Sequence, residues 1–173
     1  MKDVKIEKMT LNIGTGEPGV KLDNSVLLLQ KITGRKPIQT LAKKRIPTWK
    51  IRPGLPIGCK VTLRGKEAVE LLGRLLESKS KNLDMKNFTD GSLCFGIKEY
   101  IEIPGVEYDA KIGIIGFDVA ITFMRQGYRI KHRAIKKKTI SKKHEIKKEE
   151  IIAFMEKTYG VNVTWQAVII ERC

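Results

Sequence analysis

The sequence predicts an α+β fold: a mainly antiparallel sheet with helices on one face and a protruding basic loop after the second strand. Three observations support this class. Several short segments alternate apolar and polar residues, as half-buried strands do. Other segments carry apolar residues at helical spacing, and proline or glycine separates the two kinds of segment. The 173 residues are the size of a single domain.

The first half of the chain predicts three strands and two helices. Met9, Leu11 and Ile13 alternate with polar residues in a strand that ends near Gly14. The helix that follows stops at Gly34, and three prolines later open a loop. After the first strand, the predicted elements are a helix at 22–33, a strand at 37–41, the loop at 42–56, a strand at 57–64 and a helix at 66–78.

The second half predicts two strands, an irregular stretch and a last helix. Its lysine-rich segment has few large apolar residues, so we expect an extended arm that needs a partner to become ordered. Gly160 ends the last helix. The predicted elements are a strand at 93–97, an irregular stretch at 104–116, a strand at 117–123, the arm at 125–148, a helix at 147–159 and a short strand or loose tail at 161–170.

Positive charge is concentrated in two segments. The chain has 34 Lys and Arg against 19 Asp and Glu, a net charge of +15. Residues 24–66 contain 11 Lys and Arg and no acid, and residues 125–148 contain 11 against one acid, so they carry +11 and +10 while the rest carries −6. Such segregation is typical of a surface that binds a polyanion. A solvated charged face is the plainer alternative.

Polar residues of the first and third strands form a candidate RNA-binding face. The apolar residues of each strand face the helices, so the intervening polar side chains lie on the opposite face of the sheet. An open sheet face with donors, acceptors and cations can lie against RNA. The candidates are Lys8, Thr10, Asn12, Lys60, Thr62 and Arg64.

The loop at 42–56 is a second candidate contact with nucleic acid. Its cations are interleaved with Trp49 and three prolines, which predicts a stiff finger with an aromatic ring able to stack on a base. A hairpin whose Trp49 folds back into the core is the alternative. The cations are Lys43, Lys44, Arg45, Lys50 and Arg52.

One glycine motif suggests an enzyme instead. Residues 14–19 match GxGxxG between a predicted strand and a predicted helix, the context of a dinucleotide-binding turn. Glu17 would put a negative charge beside the pyrophosphate and Pro18 removes a backbone N–H, and both argue against this function. The cations at 43–45 could recognise a 2′-phosphate, so an NADP-dependent reductase remains the alternative.

Other chemistry is weakly indicated. His132 and His144 have no carboxylate nearby in sequence that could orient them, so we expect no catalytic residue and no metal. Four aspartates could bind Mg²⁺ only if the fold brought them close together, and nothing in their spacing predicts this. They are at positions 84, 90, 109 and 118. The three cysteines form no CxxC pair, which favours a reducing compartment. A membrane-surface role for the basic arm is a third hypothesis, although the arm lacks an apolar face.

Several motifs resemble one known family. They are LNIG at 11–14, ITGRKP at 32–37, AKK at 42–44, IRPGLPIGCKVTLRG at 51–65, IP at 103–104, VEYD at 106–109 and GIIGFD at 113–118. In these residues the chain resembles the universal large-subunit ribosomal protein family that binds 5S ribosomal RNA, called L five in bacteria and L eleven in eukaryotes. The resemblance covers roughly residues 4–160, and the basic stretch is similar to the archaeal and eukaryotic branch.

The resemblance implies a structural protein of the cytoplasmic ribosome, with no cofactor and no enzymatic activity. The family docks on 5S RNA in the central protuberance through its open sheet, and Asn12 and Thr62 occupy positions where it places hydrogen-bonding residues. At a third position the family has Gln, whereas this chain has Arg35. Arginine keeps a donor there and removes an acceptor.

The resemblance also implies a division of labour within one domain. Residues 1–64 would be the 5S-binding part, with the 42–56 loop approaching peptidyl-site tRNA, and residues 65–173 a C-terminal part that carries the arm. Tyr108, Asp109 and Lys111 lie in the segment that bridges to the small-subunit head. The implied partners are 5S rRNA, large-subunit rRNA, peptidyl-site tRNA and neighbouring ribosomal proteins, and no membrane.

Overall fold

The computed structural model describes residues 2–164, and the predicted tail at 165–170 lies outside these residues. The strands in this part of the chain are β1 (Val4–Gly14), β2 (Ile38–Leu41), β3 (Pro56–Leu63), β4 (Asn82–Asp84), β5 (Phe88–Thr89), β6 (Ser92–Ile97), β7 (Phe117–Arg125) and β8 (Asn162–Thr164). The helices are α1 (Val20–Thr33), α2 (Lys66–Ser78), α3 (Arg129–His132) and α4 (Lys148–Tyr159).

Six strands form one antiparallel sheet in the order β2-β3-β1-β7-β6-β5. The long strand β1 lies near the centre, paired with β3 on one side and with β7 on the other. The short strands β4 and β8 pair separately and in parallel. The predicted α+β class with a mainly antiparallel sheet is therefore confirmed.

The three longer helices cover one face of this sheet. Alternate residues are buried toward that face from Met9 onward in β1, from Cys59 onward in β3 and along the whole of β7, as the alternation predicts. The apolar stripe of α2 is buried against it, and α1 and α4 contribute further buried residues. The stripe consists of Ala68, Leu71, Leu72, Leu75 and Leu76. Within residues 2–164, no helix of eight or more residues packs on the opposite, polar face of the sheet.

The helix ends agree with the sequence signals. Gly34 ends α1 in the left-handed conformation, with φ at 67°, and its N–H donates to the Gln30 carbonyl at 2.8 Å. Gly160 ends α4 in the same conformation. The predicted bounds of α2 are those observed. Strands β4, β5 and β8 have only two or three residues each, and β8 lies at the start of the predicted tail. They are too short to show a clear alternation of apolar and polar residues in the sequence.

The basic segment 125–148 differs from the predicted extended arm. Arg125 is the last residue of β7, and its buried guanidinium pairs with Glu150 of α4. The Tyr128 hydroxyl donates to the His144 carbonyl at 3.1 Å, and Ile146 is buried. A short helix and a 3₁₀ turn, Lys142–His144, lie between these contacts. Both ends of the segment are thus held against the body of the protein.

Candidate nucleic-acid interface

The uncovered face of the sheet brings the predicted polar residues together. Asn12 of β1 lies opposite Lys60 of β3, and Thr10 lies opposite Thr62. Directly opposed residues in an antiparallel pair have Cβ atoms about 5 Å apart, and diagonal neighbours lie about 7–8 Å apart. Asn12 and Thr62 are diagonal neighbours of this kind. We call this surface the open face: the outward residues of β1, β3, β7 and β6, with Arg64 directly after β3.

The open face offers both hydrogen-bonding groups and cations. Asn12, Lys60, Thr62 and Arg64 are exposed and Thr10 is half-buried. Neither Lys60 nor Arg64 forms an ion pair with another residue in the 2–164 range. These side chains can therefore contact phosphate oxygens and base or ribose edges without first breaking an internal salt bridge.

Strands β7 and β6 extend the open face beyond the residues predicted from sequence. Asp118 lies opposite Asn12 on β7, and Thr122 lies opposite Lys8. On β6, Ser92 lies opposite Thr122, and Cys94 lies opposite Ala120, which itself lies opposite Thr10. The alternation of residues 117–123 predicts which of them face outward, because these residues lie between the buried apolar ones. Which strand lies beside β1 is set by the tertiary fold.

Arg35 lies at the rim of the sheet and is already paired. Its guanidinium forms two contacts with Glu67 in the first turn of α2, Nε to Oε2 at 2.8 Å and Nη2 to Oε1 at 2.9 Å. This fork-shaped pairing raises the pKa of Arg35, first through the hydrogen bond and then through the charge of Glu67. Arg35 thus differs from Lys60 and Arg64 in having a partner within the protein.

The loop at 42–56 is a closed finger. The Ala42 N–H donates to the Leu55 carbonyl at 2.8 Å, and the Gly54 N–H donates to the Ala42 carbonyl at 3.0 Å. Near the tip, Ile46 and Ile51 form a β-bridge around the 3₁₀ turn Pro47–Trp49. The Trp49 side chain is 68% exposed, so it does not fold back into the core. The loop cations, Lys43, Lys44, Arg45, Lys50 and Arg52, are all exposed.

The segment around Tyr108 is docked on α1. The Lys31 ammonium lies 3.3 Å from the Glu107 carbonyl and 3.8 Å from Asp109 Oδ2. Asn24 donates to the Lys111 carbonyl at 2.8 Å, and the backbone N–H of Asp109 donates to the Tyr100 hydroxyl at 2.9 Å. Tyr108 is 57% exposed. Tyr108, Asp109 and Lys111 therefore share one short surface segment.

The glycine motif at 14–19 does not form a nucleotide cradle. The backbone N–H groups of Thr15 and Gly16 both donate to the Ile57 carbonyl at 3.0 Å, so neither is available to a pyrophosphate. The strand before the motif pairs only antiparallel, unlike the parallel strand of a dinucleotide-binding unit. The NADP-dependent reductase alternative is therefore wrong.

The structure offers no alternative centre of chemistry in the residues it describes. No three His, Cys, Asp or Glu side chains within residues 2–164 converge on a possible metal position. In the same part of the chain, no helix has the length and hydropathy of a membrane span. His132, expected to lack a neighbouring carboxylate, lies 3.6 Å from Glu7 Oε1. Burial raises the pKa of the Cys59 thiol to about 11, which makes it a poor nucleophile.

An α+β scaffold with a cation-bearing open sheet face and an exposed basic finger is typical of a nucleic-acid-binding protein. Comparison with known proteins narrows this class. Residues 1–52 match the family described as ribosomal protein L5, and residues 56–154 match the model of that family's C-terminal region.

Curated relatives agree with these family matches. The chain is 47% identical to the large ribosomal subunit protein uL5 of Nanoarchaeum equitans over 94% of its own length and 97% of the relative's. It is 44% identical to uL5 of Sulfurisphaera tokodaii, covering 94% and 93% of the two chains, and 43% identical to uL5 of Methanobrevibacter smithii, covering 94% and 96%.

The chain therefore belongs to the uL5 family of large ribosomal subunit proteins. Members of this family are structural components of the ribosome and not enzymes, as the motifs predict. Its partners are accordingly ribosomal RNA and other ribosomal proteins, and its place is the cytoplasmic ribosome.

Proposed function

We propose that this protein anchors 5S ribosomal RNA in the central protuberance of the large subunit through the open face. The loop at 42–56 contacts tRNA in the peptidyl site. The segment with Tyr108, Asp109 and Lys111 contacts the small-subunit head. Residues 1–64 supply the RNA-docking strands and the loop, and residues 65–173 supply the rest of the single domain.

One observation carries the 5S RNA proposal: Asn12 and Thr62 are neighbours on an uncovered face that also carries Lys60 and Arg64. Hydrogen-bonding side chains can recognise ribose and base edges, while the cations contact phosphates. Thr10, opposite Thr62, adds a further hydroxyl. Arg35 lies at the rim and contributes only if RNA displaces Glu67 from it.

The finger and the docked segment support the other two contacts. Hydrogen bonds across the base of the loop and the bridge near its tip hold five exposed cations and Trp49 in a preformed shape. A preformed loop loses less conformational entropy when it binds tRNA. The contacts of Lys31 and Asn24 likewise hold the Tyr108 segment in one position on α1.

Replacement of Asn12 and Thr62 by alanine tests the open face. Each lost hydrogen bond costs about 1 kcal/mol, so the double variant should bind 5S RNA roughly 30-fold more weakly. The matched control is T158A with N162A, because these residues are exposed outside the six-stranded sheet. Equal affinities of the two double variants in a filter-binding titration would contradict the proposal.

Loop variants test the division of labour. Replacing Lys43, Lys44 and Arg52 by glutamine should leave 5S RNA binding within about twofold, because the loop lies outside the open face. The same variant should slow tRNA-dependent steps when it is assembled into ribosomes. A loss of 5S binding with normal tRNA-dependent steps would reverse the assignment of the two surfaces.

A further inference from the structure

A cleft lies between the sheet and the basic segment 125–148. It encloses about 980 Å³. One wall is the end of the open face, where Lys8, Thr122 and Ser92 lie side by side on three adjacent strands. The other wall is formed by residues 131–132 and 137–140 of the basic segment. The cleft is therefore continuous with the surface proposed to bind 5S RNA.

Contacts within the protein shape this cleft. The buried guanidinium of Arg125 pairs with Glu150, and its Nη1 donates to the His144 carbonyl at 3.4 Å. The Tyr128 hydroxyl donates to the same carbonyl, and the His144 ring nitrogen Nε2 lies 3.0 Å from the Gln126 carbonyl oxygen. These contacts hold the two ends of the basic segment together, so its cations are positioned before any ligand arrives.

The charge of the cleft favours an anion. Lys8, Lys131, Lys137 and Lys138 line it. Three acids also line it, and two of them have partners: Glu7 lies near His132, and Asp90 Oδ1 accepts the Lys148 N–H at 3.1 Å, where α4 begins. Four lysines against three acids leave the lining with a small net positive charge, and the other cations of the basic segment add to it.

The size and the lining of the cleft suit an unpaired nucleotide. Its volume is that of a small-molecule pocket, which is enough space for one nucleotide. Tyr128 and Ile140 are half-buried and contribute apolar surface beside the lysines. Aromatic or apolar surface flanked by cations is how proteins hold unstacked bases of a single strand.

We propose that this cleft binds an unpaired segment of RNA, with its phosphates on Lys8, Lys131, Lys137 and Lys138 and a base against Tyr128 and Ile140. This inference rests on the proposed function, because the cleft would take a strand that leaves the open face. The chemistry required is a flexible phosphodiester chain with accessible bases, and inorganic phosphate or duplex RNA meets only part of it.

The test is a binding titration of the full chain with a fluorescent single-stranded RNA of about ten nucleotides, a length typical of single-strand binding sites. The variant K137Q/K138Q removes two cleft lysines. It should bind about tenfold more weakly, and the slope of log affinity against log salt should become shallower by about 1.4, which is about 0.7 for each phosphate contact.

The matched control is K142Q/K143Q. It removes the same charge from the same basic segment, but neither residue lines the cleft. Its affinity and salt slope should stay near those of the unsubstituted protein. Equal losses of affinity in the two variants would overturn the proposal, because they would indicate a general electrostatic effect of the whole basic segment. An equal loss of duplex RNA binding in K137Q/K138Q would overturn the choice of a single strand.

The open-face variant N12A/T62A separates this inference from the proposed function. It should bind 5S RNA roughly 30-fold more weakly and keep its affinity for the short single strand. If N12A/T62A binds 5S RNA normally while K137Q/K138Q fails to bind the single strand, the open-face assignment fails and the cleft remains. If N12A/T62A binds 5S RNA weakly while K137Q/K138Q binds the single strand normally, the proposal for the cleft fails and the open-face assignment remains.

Discussion

The basic segments 24–66 and 125–148 carry almost the same charge, +11 and +10, but the fold holds their cations by different means. In the first segment, β3 pairs with two neighbouring strands, and that register fixes Lys60 beside Asn12. In the second segment, most cations lie between two anchored ends, and the buried contact of Arg125 with Glu150 provides the main anchor.

The two segments illustrate two ways in which a protein positions repelling charges. In a sheet, many backbone hydrogen bonds together offset the repulsion between the cations, so no single side chain is decisive. A segment with little regular structure depends on a few side-chain contacts at its ends. We therefore expect backbone crowding to disturb the first segment most, and loss of one buried side chain to disturb the second.

Replacement of Gly58 by alanine should produce the largest effect. A Cβ at this position would lie 2.5 Å from the Ile13 carbonyl oxygen and 3.0 Å from the Thr40 hydroxyl, between β3 and both of its neighbours. Backbone atoms would have to shift, which costs about 3 kcal/mol of unfolding free energy. Thermal denaturation should show a melting temperature lower by about 10 °C.

Gly73 provides the control for this substitution. It lies inside α2 with nothing within 4 Å of a built Cβ, so G73A should stabilise the protein by about 0.5–1 kcal/mol through better helix propensity. The same change from glycine to alanine should thus lower the free energy of unfolding at Gly58 and raise it at Gly73. If G58A melts at the temperature of the unsubstituted protein, close packing of β3 does not hold the first segment.

Replacement of Arg125 by methionine should have the next largest effect. Arg125 is only 7% exposed, while its partner Glu150 is about two-fifths exposed at the side chain and can regain water. We expect a loss of about 2 kcal/mol, below the 3–5 kcal/mol of a fully buried pair. Denaturant unfolding measures the loss, and limited proteolysis should then cut within residues 129–143.

The milder variant E150Q keeps a hydrogen-bond acceptor for Arg125 and should lose less stability than R125M. In both variants the open face should keep its contacts with 5S RNA, because it is held by strand register, and any loss of affinity should be limited to the contribution of the cleft. If R125M abolishes 5S binding in protein that is still folded, the two basic segments are not held independently.

Much of the fold was accessible from sequence because strand alternation and helix stripes are local signals. The outward parity of Asn12 and Thr62 follows from the buried residues on either side of each. Which strands pair with one another cannot be read from local sequence. The position of Asp118 opposite Asn12 was therefore missed. The anchoring of the basic segment was missed for the same reason, since Arg125 and Glu150 are 25 residues apart.

The reactivity of the cysteines tests how far bound RNA extends over the open face. Cys94 is exposed on β6, two strands from Thr10, whereas Cys59 is buried and its thiol pKa is raised to about 11. Near neutral pH, iodoacetamide should modify Cys94 and spare Cys59, as followed by peptide mass spectrometry. Saturating 5S RNA should slow the reaction at Cys94 severalfold. An unchanged rate at saturation would mean that the RNA leaves this part of the face exposed.

The smallest effect is expected for R35Q. Glu67 already holds the Arg35 guanidinium at two points, so RNA gains little from this cation. With about six phosphates contacted, log affinity should fall against log salt with a slope of about −4 to −5, and R35Q should leave that slope unchanged. The matched control R64Q removes an unpaired cation of the open face and should reduce the slope by about 0.7–0.9. A reduction of that size in R35Q would mean that RNA displaces Glu67 and that Arg35 contacts a phosphate.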